Sequence, residues 1–134
     1  MHRDLKPDNI VLNLDPLEVR IIDFDAVFLD STTTVGTARG TPGYFPFANK
    51  WRDGSKKWDI WAMAAIILEC DMFKDGYFKT KWEDYTKQKL KMHLKRPDTC
   101  IKLHELMNQT IMTSKDKEML EVDEMKKFVL KIKF

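Results

Sequence analysis

The octapeptide His2-Arg3-Asp4-Leu5-Lys6-Pro7-Asp8-Asn9 brings a carboxylate, an ammonium and a carboxamide close together in the chain. On a short loop ahead of a strand, Asp4, Lys6 and Asn9 can converge on one point. The three groups suit proton acceptance, anion neutralisation and coordination of a hard cation. A second cluster, Ile21-Ile22-Asp23-Phe24-Asp25, puts a carboxylate at the end of a β-branched run. A hairpin between the clusters would carry Asp23 back beside Asn9. One carboxylate and one amide oxygen, with room left for water and phosphate oxygens, describe a magnesium site of the nucleotide type.

The elements that must position these groups can be read from the flanking sequence. Asn9 to Leu14 and Val19 to Ile22 are short apolar runs separated by Asp15-Pro16-Leu17-Glu18, where proline sets φ for a turn, so residues 9–22 read as a β-hairpin. Residues 30–43 hold three glycines, one proline and five threonines without apolar periodicity, which is loop chemistry. Trp58 to Cys70 is apolar almost all round and rich in Ala, Met and Leu, with Asp59 near its start, so it reads as a buried central helix. Lys81 to Leu94 reads as a surface helix ended by Arg96-Pro97-Asp98. Thr99 to Met112 has helical spacing of Ile101, Leu103, Leu106, Met107 and Ile111, and Ser114 offers an N-cap for a last helix through Lys131. The fold class is therefore mainly α with one β-hairpin, in a chain of 134 residues, the size of one domain.

Charge and composition narrow the function classes. The formal charge is +2, with 33% charged and 43% hydrophobic residues, so neither a disordered tail nor a nucleic-acid-binding protein is expected. Residues 1–73 carry 8 Lys/Arg against 11 Asp/Glu, and residues 74–134 carry 15 against 10; the acids collect where the candidate chemistry lies. The longest apolar run, Ile60 to Leu68, is half of the roughly 18 residues a membrane span needs, so no membrane partner is expected. Cys70 and Cys100 form neither a disulfide framework nor a paired zinc motif, and His93 and His104 read as surface helix residues. With no apolar segment after Met1, the expected location is intracellular, in the cytoplasm.

Taken together, the motifs resemble the C-terminal lobe of a eukaryotic-type serine/threonine protein kinase. The resemblance covers nearly the whole chain, while its specific motifs lie between residues 2 and 69. It implies that HRDLKPDN is the catalytic loop, with Asp4 the catalytic base and Asn9 a metal ligand, and that Lys6 stabilises the transferring phosphoryl group. Asp23 takes the place of the metal-binding aspartate of the DFG motif. Gly40 to Pro46 (GTPGYFP) resembles the loop that shapes the substrate site, with Thr41 bonded near the base. Trp58 to Glu69 resembles the central helix, with Asp59 holding the catalytic-loop backbone. Arg3 and Thr37 match a regulatory pair, in which phosphate on Thr37 docks on the arginine. The implied ligands are ATP, Mg2+ and a protein substrate.

Departures from the family pattern set further expectations. The chain starts at the catalytic loop, so residues 1–134 are expected to be a partial kinase domain, without the N-terminal lobe and the helices before that loop. Its parts would be the catalytic loop 1–9, hairpin 9–22, activation segment 23–48, central helix 58–70 and C-terminal helices 79–134. Met1 would then be internal to a longer protein, the isolated chain inactive, and Trp61, Ile66 and Ile67 partly uncovered. Asp25 stands where the family has the DFG glycine, and Ala48 where it has a glutamate. These two changes support an alternative, a pseudokinase-like interaction module without catalysis.

Overall fold

The computed structural model describes residues 1–27, 40–45, 57–74, 101–112 and 120–130. A short 3₁₀ turn at Pro7–Asn9, with proline in its first position, leads directly into the hairpin. Strand β1 (Ile10–Leu14) pairs antiparallel with β2 (Leu17–Ile21) in the register Ile10–Ile21, Val11–Arg20, Leu12–Val19, Asn13–Glu18 and Leu14–Leu17. The connection is tighter than the four-residue turn read from sequence. Only Asp15 and Pro16 lie between the strands, and Leu17 and Glu18 already belong to β2.

Three helices follow: α1 (Lys57–Lys74), α2 (Ile101–Gln109) and α3 (Val122–Val129). Helix α1 is the axis of the core. Its Ile60, Trp61, Ala64, Ala65 and Leu68 pack with Leu103, Leu106 and Met107 of α2, with Ile111, and with Leu120 and Met125 at α3. An apolar side chain removed from water contributes about 1.5 to 3 kcal/mol, so this cluster is the main cohesive element. Trp61 is fully buried, contrary to the partial exposure expected from sequence, because α2 and α3 close over it; Ile66 and Ile67 are partly exposed.

The ends of the helices are tied together by polar contacts. Thr110 returns its hydroxyl to the Leu106 carbonyl at 2.7 Å, satisfying an acceptor in the last turn of α2. The Leu120 N–H reaches the Gln109 carbonyl at 3.2 Å, and Lys57 at the start of α1 pairs with Glu121 at 2.9 Å. Among the described residues no helix is long and apolar enough to cross a membrane. The helix read at Lys81 to Leu94, Thr37, Ala48 and the Ser114 cap lie outside the described residues.

Candidate active site

The N-terminal loop is anchored to α1 by one carboxylate. Asp59 accepts the backbone N–H of His2 at 2.8 Å through Oδ2 and that of Arg3 at 2.9 Å through Oδ1. Arg3 has φ 69°, a left-handed conformation that is uncommon for a residue with a side chain, and these bonds hold it there. The buried His2 ring faces two ways. Nε2 lies 3.1 Å from the Ile22 carbonyl and Nδ1 3.4 Å from the Asp4 N–H, so a single tautomer, with the proton on Nε2, serves both partners. The ring also packs against Phe24, with centroids 5.2 Å apart.

With the loop fixed, Asp4, Lys6 and Thr41 meet. Thr41 donates its hydroxyl to Asp4 Oδ1 at 2.8 Å; Lys6 Nζ lies 3.3 Å from Asp4 Oδ2 and donates to Thr41 Oγ1 at 3.0 Å. Burial works to raise the Asp4 pKa, but the bonds from Thr41 and Lys6 and the lysine charge outweigh it, and the carboxyl sits below its ordinary value. Asp4 is therefore ionised at neutral pH. Close approach of the 40–45 segment depends on Gly40, whose φ is 141° and whose absent Cβ would stand 3.0 Å from the Arg3 carbonyl oxygen.

The hairpin delivers the second half of the site. Asn9, buried at the end of the 3₁₀ turn, donates Nδ2 to the Asp4 carbonyl at 2.9 Å, which leaves Oδ1 as the ligand-forming atom. The Ile22 N–H bonds to the Asn9 carbonyl at 2.9 Å, extending the strand pairing by one step, so Ile22 stands opposite Asn9 and Asp23 is the next residue along the chain. Asp23 is exposed and has φ 63°. Among the described residues no three His, Cys, Asp or Glu side chains gather into a metal cluster. An amide oxygen and one carboxylate are instead a sparse, hard-oxygen donor set of the kind that magnesium shares with water and phosphate. Arg3 Nε donates to the Ala26 carbonyl at 2.5 Å.

One pair escaped the sequence reading. Tyr44 donates its hydroxyl to Glu69 Oε2 at 2.6 Å, joining the 40–45 segment to α1. Burial, then the Glu69 bond and charge, pushes the Tyr44 pKa far up; burial, with Asp8 nearby, also raises that of Glu69 against the opposing effect of the Tyr44 bond. The available signal was Glu69 itself, an acid within an otherwise apolar stretch of helix, which needs a donor once buried. Phe45 stacks on Trp58 beside it, with centroids 6.1 Å apart.

Comparison with known proteins places the chain in a family. The protein kinase domain family model matches residues 1–132. Among individual relatives, mitogen-activated protein kinase kinase 1 of Arabidopsis thaliana is 37% identical over 81 residues, 58% of this chain and 22% of that protein. Calcium/calmodulin-dependent protein kinase type 1B of Homo sapiens is 38% identical over 76 residues, 52% of this chain and 22% of that protein. The leucine-rich repeat receptor-like protein kinase PEPR2 of Arabidopsis thaliana is 36% identical over 72 residues, 52% of this chain and 6% of that protein. The chain thus spans less than a quarter of the length of these curated relatives. No solved structure matches it. The family match across nearly all of the chain, over the motifs that build the Asp4 and Asn9 site, means that the chain belongs to the protein kinase domain family.

Proposed function

We propose that the chain is the C-terminal lobe of a serine/threonine protein kinase that transfers the γ-phosphoryl group of ATP to a protein hydroxyl as part of a longer polypeptide. The observation that carries this reading is the Asp4, Lys6 and Thr41 network standing beside Asn9. Asp4 accepts a hydrogen bond from the substrate hydroxyl and orients its lone pair towards phosphorus. A carboxylate with a lowered pKa is a weak base, so it takes the proton late, as the new O–P bond forms. The Lys6 ammonium, 3.3 Å from Asp4, neutralises charge on the phosphoryl group in transit. Thr41 is a positioning residue that fixes the carboxylate.

Asn9 Oδ1 and the Asp23 carboxylate would hold magnesium, since both are hard oxygen donors and the Asn9 amide nitrogen is already committed to Asp4. A magnesium ion held by these two residues would supply neutralisation of charge on the nucleotide phosphates. Adenine and most phosphate contacts belong to an N-terminal lobe outside these residues, and the 134 residues alone are expected to be inactive. For regulation, a phosphate on Thr37 would bind the Arg3 guanidinium, which already bonds Ala26. Intact-mass analysis of active protein with no phosphate on Thr37 would remove that element. The setting we infer is cytoplasmic, where ATP is available and a thiol such as Cys70 stays reduced.

Asp25, in place of the family glycine, favours the second reading, an interaction module without catalysis. Phosphoryl transfer from ATP and magnesium to a basic protein separates the two. The comparison takes this chain, a version extended upstream to two lobes, and Asp4→Ala in the extended form. Activity of the extended protein that disappears with Asp4→Ala supports the kinase. A folded extended protein that neither binds ATP nor transfers phosphate overturns the kinase reading and favours the module.

A further inference from the structure

Residues 22–27 are fastened to the N-terminal loop at successive points. The Ile22 N–H bonds to the Asn9 carbonyl at 2.9 Å, and the Ile22 carbonyl faces His2 Nε2 at 3.1 Å. The Phe24 ring packs on the His2 ring, and Arg3 Nε donates to the Ala26 carbonyl. The segment then turns back on itself. The Val27 N–H bonds to the Phe24 carbonyl at 3.0 Å, so Asp25 and Ala26 are the central residues of a β-turn.

Asp25 stands where the family has glycine, and a side chain there would be strained if the turn needed a positive φ at that position. Among the described residues, Arg3 and Asp23 are the non-glycine residues with positive φ, so neither central residue of the turn has one. The left-handed step is made two residues earlier, by Asp23 at φ 63°, and aspartate is one of the few side chains that visits that region readily. Turn types with positive φ at a central position are thereby excluded, and those that remain accept a side chain at Asp25. Glycine could adopt the same backbone, but it would also reach the mirror-image regions about as readily.

We propose that Asp25 is a conformational lock. It confines the 24–27 turn to the backbone arrangement that keeps Phe24 on His2 and the Ala26 carbonyl on Arg3, where glycine would leave a hinge. These two contacts lie on either side of Asp25, so rotation about its backbone would break one or the other. The surface that receives the turn is itself fixed, because Asp59 holds the His2 and Arg3 N–H groups at 2.8 and 2.9 Å. The restriction comes from the Cβ rather than the carboxylate. Its consequence is that Asp23 is placed without help from a bound ligand. That consequence matters for chemistry only on the reading of Asp23 as a magnesium ligand, whereas the lock itself is compatible with a kinase and with an interaction module.

Hydrogen exchange of the Val27 amide in the 134-residue chain, without nucleotide or metal, tests the lock in the parent, Asp25→Gly and Asp25→Ala. Position 25 does not flank that amide, so its intrinsic exchange rate is the same in all three. Asp25→Gly should exchange about two- to fivefold faster than the parent, the factor that glycine's extra backbone freedom carries. Asp25→Ala keeps the Cβ and should stay closer to the parent than to Asp25→Gly. Nuclear Overhauser contacts between the His2 and Phe24 rings give a second readout, kept in the parent and Asp25→Ala and weakened in Asp25→Gly. Far-UV circular dichroism checks that each variant is folded. Exchange in Asp25→Gly no faster than in the parent overturns the proposal. So does Asp25→Ala exchanging as fast as Asp25→Gly, which would put the restraint in the carboxylate.

Discussion

Asp4 has two partners that act in the same direction. Thr41 donates to one carboxylate oxygen and Lys6 sits beside the other, and together they overcome the effect of burial on its pKa. Thr41→Val removes one of the bonds, so the Asp4 midpoint should move up. A carboxyl ¹³C pH titration of Asp4 reads this directly, and an unmoved midpoint would mean that Thr41 is a bystander. The sign for stability follows. A carboxyl whose folded pKa is depressed contributes stability above the ordinary carboxylate range, and that contribution is lost as pH falls through the folded pKa. Glu69 behaves in the opposite way. Its folded pKa is raised, so its contribution is greatest when protonated, and stability declines as pH climbs from the ordinary glutamate range through the raised value. Glu69→Gln keeps an acceptor for Tyr44 and should flatten that decline in urea midpoints measured against pH. Tyr44→Phe leaves the acid buried without its donor and should cost about 1.5 to 3 kcal/mol at neutral pH.

At the level of elements, the start of α1 and the N-terminal loop behave as one unit. Asp59 is a favourable residue for a helix N-terminus on its own account, and it also holds the backbone of His2 and Arg3. Asp59→Ala should therefore cost more than loss of a helix-dipole charge, about 2 to 4 kcal/mol in the urea midpoint, because two buried-side N–H groups lose a charged acceptor. Asp59→Asn, which retains one acceptor, should fall between the variant and the parent. A cost of only a few tenths for Asp59→Ala would show that the loop is held by something else. The hairpin is bound to the same unit through the bonds of Asn9 to Asp4 and of Ile22 to Asn9, so the positions of the two candidate magnesium ligands depend on it.

For the whole molecule, cohesion is concentrated around α1, while the hairpin projects an aliphatic face that the described residues leave open. Leu68→Ala, fully buried among α1, α2 and α3, should destabilise by about 2 to 5 kcal/mol. Leu17→Ala, at the hairpin tip, should change stability by less than about 0.5 kcal/mol. Equal costs would mean that the core is not where the packing puts it.

Several features were legible in the sequence because they are local. Short β-branched and leucine-rich runs around Asp15-Pro16 specify a hairpin, an apolar run of good helix formers specifies α1, and the octapeptide with Asp23 specifies the types of group available for chemistry. Family membership follows from the same motifs. Strand and helix ends were less accurate, with Leu17 and Glu18 in the strand rather than the turn and α1 reaching from Lys57 to Lys74, since chain ends respond to packing and capping. The family resemblance, not the residue spacing, pointed to Thr41 near Asp4 and to Asp59 on the loop backbone, while the meeting of Tyr44 with Glu69 was decided by the tertiary structure alone. The Thr41 bond to Asp4 spans 37 residues, the Asp59 bonds to the His2 and Arg3 backbone span 57 and 56, and the Tyr44 bond to Glu69 spans 25. No residue spacing encodes such pairings by itself. They arise because α1, buried on most sides, forms a fixed post against which the N-terminal loop and the 40–45 segment must both satisfy their polar groups.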